Sequence, residues 1–338
     1  MDLNITWFLL VGVLITGYAI LDGFDLGVGV IHLFTRNEKE KRIAMNSIGP
    51  VWDGNEVWLL TGGGALFAAF PIVYATVFSG FYIAFMLLLA ALIFRAVAFE
   101  FRGKVESSFW RNIWDYAFGI GSLLPSVLFG VAMGNIMRGL PINANGEFTG
   151  TFLDLLNPYS IMIGILSLTM FIMHGSIYLA MKTEGDFRHR VVGWINKSWV
   201  IFVLLYLIAT FLSLFEAPYL FEGILRNSLF WVLFILLLLS VLYQPIAVKA
   251  KRFFHAFIVS SVTIATMIGL IAVSLFPRLV PSNIDLDFSL TIYNASSSQN
   301  TLKVMLVIAL TGMPVVIAYT IFIYHVFKGK TVINKESY

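Results

Sequence analysis

Nine apolar stretches recur along this chain, most of them about 20 residues long, the length a helix needs to cross a bilayer. They run over Ile5–Phe34, Asn55–Ala69, Ala75–Ala98, Trp114–Met137, Tyr159–Met181, Ser198–Phe215, Leu229–Val248, Phe254–Phe276 and Leu302–Phe327, the second being the shortest. A helix satisfies its own backbone hydrogen bonds, which hydrocarbon cannot do for it. Charged residues make up only 12% of the chain, about half the share of a soluble domain. The expected fold is all-α: a polytopic membrane protein of nine transmembrane helices. It is read as one membrane domain over 1–338, with four-helix halves over 1–140 and 155–280 and a peripheral ninth helix plus tail over 300–338.

Lys and Arg orient the bundle. Arg36, Lys39, Lys41 and Arg42 fall in the first loop, Arg102, Lys104 and Arg111 in the third, and Lys182, Arg188, Arg190 and Lys197 in the fifth. Lys249, Lys251 and Arg252 follow in the seventh, and Lys328, Lys330 and Lys335 in the tail. The other side holds Arg138, Arg226, Arg278 and Lys303. By the positive-inside rule the odd loops are cytoplasmic, with the N-terminus outside and the C-terminus inside. The opening "MDLNITWFLLVGVLITGY" has no basic n-region and its apolar run outlasts a signal peptide, so it reads as the first span.

Some chemistries are excluded. There is no cysteine, hence no disulfide, thiolate metal site or Cys-x-x-Cys-His haem attachment. The net charge of +3, from scattered basic residues, gives no nucleic-acid surface. "TGGGA" (Thr61–Ala65) lacks the Lys-Ser/Thr of a phosphate loop, and its glycines read as allowing close helix packing.

What needs explanation is acid inside the spans. Asp22 and Asp25 lie three residues apart in the first, on one face. Tyr18, Asp25 and His32 form a stripe at seven-residue intervals, and Gly23 and Gly27 let another helix approach, so the stripe is expected to face protein. Asp53 and Glu56 repeat the spacing in the second span; the third carries Arg95 and ends near Glu100; the fourth opens with Asp115. In the orientation above, all lie in the inner half or at the inner edge. An ionisable residue at such depth marks function by default, because a carboxyl can hold or release a proton. The alternative is structural: Arg95 neutralised by Glu100 or a first-span aspartate. Glu100 and Asp115 also suit solvated helix ends. Among the histidines only His32 and His174 lie within spans, and a lone helical histidine is usually a hydrogen-bonded interface residue rather than a haem ligand; no metal site is expected.

These motifs resemble subunit II of the cytochrome bd-type quinol oxidases. The resemblance is carried by "DGFDLGVG" (Asp22–Gly29), "NSIGPVWDGNEVWLLTGGGALFAAFP" (Asn46–Pro71), "FSGFYIAFMLLLAALIFRAVAFEFR" (Phe78–Arg102), "WRNIWDYAFGIGSLLPSVLFGVAMGN" (Trp110–Asn135) and "SLTIYNASSSQNTLKVM" (Ser289–Met305). It runs end to end and is loosest between Lys182 and Phe254. It implies a haem-free subunit beside a haem-bearing subunit I, which carries haems b and d and the quinol site and meets helices 2, 3 and 9 of this chain. It further implies a small single-helix accessory subunit, surrounding lipid, and a place in a bacterial or archaeal cell membrane. The complex would oxidise quinol and reduce oxygen to water with cytoplasmic protons, electrogenically but without pumping. A bound structural quinone stays open. By the same resemblance a proton route maps onto Asp25 and Asp53, with Asp22, Glu56 and Glu100 as further candidates and Arg95 as the structural counter-charge. Glu56 and Glu100 stand where some relatives carry Gln and Asp. The competing readings are a purely structural subunit and an ion-coupled secondary transporter. The confinement of the acids to the first four spans counts against the latter, which predicts broken helices in matched halves.

Overall fold

A computed structural model describes residues 2–332; residues 333–338, including Lys335 of the basic tail, lie outside it. The helices are α1 (Leu3–His32), α2 (Glu38–Ile48), α3 (Trp52–Ala69), α4 (Pro71–Gly80), α5 (Tyr82–Phe101), α6 (Ser108–Arg138), α7 (Pro158–Lys182), α8 (Gly185–Glu216), α9 (Ser228–Lys249), α10 (Phe253–Leu275) and α11 (Gln299–Val326). A short antiparallel pair, β1 (Arg278–Val280) and β2 (Leu290–Thr291), precedes α11. Side-chain caps fix several starts. Asp2 accepts from the Asn4 N–H at 2.8 Å, Asn37 from Glu40 at 3.0 Å and Asn157 from Ser160 at 2.9 Å. Pro158 follows Asn157 at the first position of α7, where a missing N–H does no harm.

Among the described residues, eight helices are long and apolar enough to cross a membrane: α1 and α5 to α11. The 18-residue α3, with Asp53 and Glu56 in its opening turns, is not among them. α1 lies at the centre, packed against α3, α6, α7 and α10; α5 packs on α6, α8 on α7, α9 on α10, and α11 against α3 and α1. The α1–α7 crossing is backbone to backbone: a Cβ on Gly27 would collide with the Phe171 carbonyl, and one on Gly175 would meet Gly27. Beside it Phe24 stacks on Tyr178 with ring centroids 4.0 Å apart. The opposite surface is bare. Leu310, Val315 and Ile321 on α11, like Leu204 and Phe211 on α8, are exposed, which suits hydrocarbon or a partner and not water.

The basic segments gather at one end. Arg190 pairs with Glu40, Arg102 with Glu38, and Lys182 donates to the Phe327 carbonyl. At the other end Trp7 donates to the Leu302 carbonyl and the Ser297 N–H to that of Ala69.

Several boundaries depart from the sequence reading. The stretch taken as a third span from Ala75 is two helices that part at Phe81, whose φ and ψ are −96° and 18°. Gly80, lacking a Cβ, admits the Phe148 ring there, and Thr76 donates to the Gly146 carbonyl, so α4 belongs to the non-basic end. The helix expected from Ser198 begins at Gly185, because Phe187, Val191 and Ile195 continue the buried stripe through a polar sequence. The first basic loop contains α2. In "TGGGA" only Gly62 approaches a neighbour, Leu14; Gly63 and Gly64 meet open space, so two of the three glycines serve no packing within this chain.

Candidate functional site

The two α1 aspartates are both fully buried, yet their surroundings differ. Asp22 meets Arg95 of α5 side-on: Nη2 donates to Oδ1 at 2.7 Å and Nη1 to Oδ2 at 3.2 Å. Arg95 can reach this depth because Gly121 of α6 lets α5 in; a Cβ there would lie 2.6 Å from the Ala91 carbonyl oxygen. Of the two partners weighed for Arg95, the structure chooses the aspartate. Bidentate geometry and mutual neutralisation make this the arrangement in which a buried ion pair persists.

One turn on, Asp25 has no cation in contact. Its Oδ2 accepts from the Asn55 amide at 2.7 Å, and its Oδ1 is buried without a hydrogen-bond partner. Asn55, on α3, is itself held: Nδ2 also reaches the Leu21 carbonyl at 3.2 Å, and Oδ1 accepts from the Tyr324 hydroxyl of α11 at 2.9 Å. A line of donors thus runs from α11 through α3 to the α1 carboxylate. Neither Asn55 nor Tyr324 stood out in the sequence, since an amide and a phenol in apolar helices carry no charge signal.

Of the remaining candidates, Glu56 is half-buried and close enough to Arg95, Asp22 and Asp53 to interact electrostatically with all three. Asp53, in the first turn of α3, is exposed. Glu100 is exposed near the end of α5, with no hydrogen bond or ion pair among the described residues, and is not gathered into the group. Asp22, Asp25 and Arg95 therefore form a dry centre flanked by Glu56.

A second charged cluster occupies the basic end. Asp115 is buried, not a solvated helix end. It receives His32 Nε2 at 2.7 Å, Lys41 Nζ at 2.7 Å and Arg102 Nε at 2.6 Å. Arg102 bridges on to Glu38 at 2.8 Å. Burial works against its charge, but the hydrogen bonds that Arg102 donates to Glu38 and Asp115 push its pKa above the ordinary value. The cluster ties α1, α2, α5 and α6 together.

His174 has both ring nitrogens engaged, Nδ1 with Ser260 at 2.7 Å and Nε2 with the Ile20 carbonyl at 3.0 Å. Among the described residues no group of three or more His, Asp or Glu side chains could hold a metal ion.

Comparison with known proteins gives a consistent answer. The family described as Cytochrome bd terminal oxidase subunit II matches residues 3–327. The cytochrome bd ubiquinol oxidase subunit 2 of Bacillus subtilis (strain 168) is 40% identical over 337 residues, spanning 99% of this chain and 98% of its own. The cytochrome bd-I ubiquinol oxidase subunit 2 of Escherichia coli (strain K12) is 38% identical over 365 residues, spanning 99% and 96%. A chain from the structure of bd oxidase from Geobacillus thermodenitrificans superposes with a TM-score of 0.78, covering 97% of this chain and 99% of that one; its 18% identity speaks for the fold alone. With the family matched over nearly the whole length, and two relatives well above chance over theirs, this chain belongs to the cytochrome bd terminal oxidase subunit II family.

Proposed function

We propose that the chain is the haem-free subunit of a quinol:oxygen oxidoreductase in a bacterial cell membrane. It scaffolds a haem-bearing subunit I and conducts cytoplasmic protons toward the oxygen-reducing site. In this reading α3 is the ninth crossing, the basic end faces the cytoplasm, and the bare faces of α3, α5 and α11 meet the partner. A small single-helix subunit completes the assembly. In this reading haems b and d belong to the partner, and His174, with both ring nitrogens hydrogen-bonded, offers neither to a haem.

The observation that carries the proton role is the contrast at Asp25. A buried carboxyl with a counter-ion is a strut, as Asp22 is for Arg95. One held only by an amide, with a spare oxygen, can accept a proton without breaking an ion pair. Exposed Asp53 and half-buried Glu56 stand at successive turns of α3, so protons would enter at Asp53, pass Glu56 and reach Asp25. Glu100 is a more remote candidate for the entry. Structural support is the role that the Asp22–Arg95 geometry favours for that pair. Transport of an ion by the chain alone is not favoured, given the family.

The test is Asp25→Asn in the purified complex. Oxygen consumption with quinol is expected to fall on the order of 100-fold, the usual loss on removing a proton-transfer group, with haem absorbance unchanged. Undiminished turnover would leave only the scaffolding role.

A further inference from the structure

At the basic end, α8, α9 and α10 enclose a cavity of about 600 Å³. Its rim carries Arg188, His189, Lys249 and Lys251, and its floor is Val192, Pro245, Val248 and Phe253. No carboxylate lines it. The charge is only partly compensated. Lys249 and Lys251 are exposed, and their side chains make no hydrogen bond or ion pair among the described residues. Arg188 donates from Nε to the Thr183 carbonyl and lies over the Phe253 ring. Its Nη2 has no hydrogen-bond acceptor, Glu184 standing 3.5 Å away as a loose ion pair.

The backbone fixes where Lys251 stands. Lys251 has a φ of 57°, and among the described residues it is the one non-glycine with positive φ; Gly139, Gly146, Gly185, Gly223 and Gly329 fill the other such positions. That conformation closes a Schellman turn at the end of α9, in which the Lys251 N–H donates to the Val248 carbonyl and the Arg252 N–H to that of Ala247, and it sets Lys251 on the cavity lining. Both α8 and α10 begin at the cavity, at Gly185 and Phe253, and neither has a side-chain cap; the first-turn N–H groups of α10 add partial positive charge, whereas Asp186 in the first turn of α8 offsets those of α8. Trp194 and Trp199, on the same stretch of α8, are the residues expected at headgroup level. Away from the rim the surface turns to exposed apolar residues, Val200 and Leu204 on α8 and Leu242 and Ile246 on α9.

We propose that this cavity binds the phosphate of an anionic glycerophospholipid of the cytoplasmic leaflet. The headgroup sits among Arg188, His189, Lys249 and Lys251, and the acyl chains lie along α8 and α9. Basic pockets between membrane helices recognise headgroups in this way. A soluble phosphate would be served by the rim alone; the apolar floor, continuous with the hydrocarbon-facing helices, selects the lipid. The proposal rests on the membrane placement of α8 to α10 and not on the oxidase chemistry.

The test is native mass spectrometry of the purified oxidase complex in detergent, titrated separately with phosphatidylglycerol, phosphatidylcholine and inorganic phosphate. One phosphatidylglycerol is expected to be held in preference to phosphatidylcholine. The double variant Lys249→Gln/Lys251→Gln is expected to weaken it about thirtyfold, while Lys104→Gln at the same end leaves it unchanged. Should the double variant fail to fold, Lys251→Gly decides. It relieves the strained backbone and is expected to melt no lower than the parent while binding phosphatidylglycerol about fivefold more weakly. Binding within twofold of the parent in these variants overturns the proposal. So does equal retention of phosphatidylcholine, or a lysine-dependent uptake of inorganic phosphate that phosphatidylglycerol does not share.

Discussion

The centre of α1 and the cluster around Asp115 solve one problem in different ways. Asp115 gathers three hydrogen-bond partners from three elements near the membrane edge, the cations Lys41 and Arg102 and the imidazole of His32, where Lys41 and Glu38 still touch water. Deeper, the chain supplies one arginine for two aspartates, and Asp22 takes it. Asp25 is left with an amide. Charge near the edge is thus paired and locked, whereas charge at depth is compensated in one position and withheld in the next. Locked charge holds helices together; withheld charge leaves a group free to change its protonation.

The comparison breaks most visibly at Arg95. Arg95→Gln strands Asp22 in the dry interior, and removing one member of a buried pair costs about 3–5 kcal/mol. Complex yield and melting temperature are expected to collapse, and Asp22→Asn added to Arg95→Gln to restore part of both. Asp115→Asn is next, at about 2 kcal/mol. It is milder because Lys41 can turn to water and Arg102 keeps Glu38; thermal melts of the complex read the difference. Asn55→Leu removes the donor to Asp25, for about 1–3 kcal/mol, and turnover is expected to fall with it. If turnover fell no more than in Asp115→Asn, the distinction between locked and free acids would not hold. Asp53→Asn is the smallest in stability and the sharpest in meaning. The exposed side chain makes no hydrogen bond or ion pair among the described residues, so melting is expected to stay put while oxygen consumption drops. A drop in both would make Asp53 structural.

Much of this was visible in the residues. Apolar length placed the long helices, and i, i+3 spacing put Asp22 and Asp25 on one buried face with Gly27 at the crossing. Spacing along one helix says nothing of what stands across from it, so the choice between Glu100 and Asp22 for Arg95 needed three dimensions. Asp115 looked solvated because its partners lie on other elements: His32 on α1, Lys41 on α2 and Arg102 at the end of α5. The start of α8 was hidden because its stripe of Phe187, Val191 and Ile195 is interleaved with charged residues that hydropathy averages away. Asn55 and Tyr324 were hidden for the opposite reason, having no charge to notice.

Tyr324 gives the outermost helix a hand on the innermost acid. Most of the apolar stretch of α11 is exposed along the outside of the bundle, yet the Tyr324 hydroxyl fixes which way the Asn55 amide points. Any rotation of α11 as a neighbour grips it would swing that phenol, and with it the choice between offering Asp25 a hydrogen and offering it a lone pair. Lateral assembly in the plane of the membrane would then be felt, by a single rigid lever, at a carboxylate buried in the middle of the bundle.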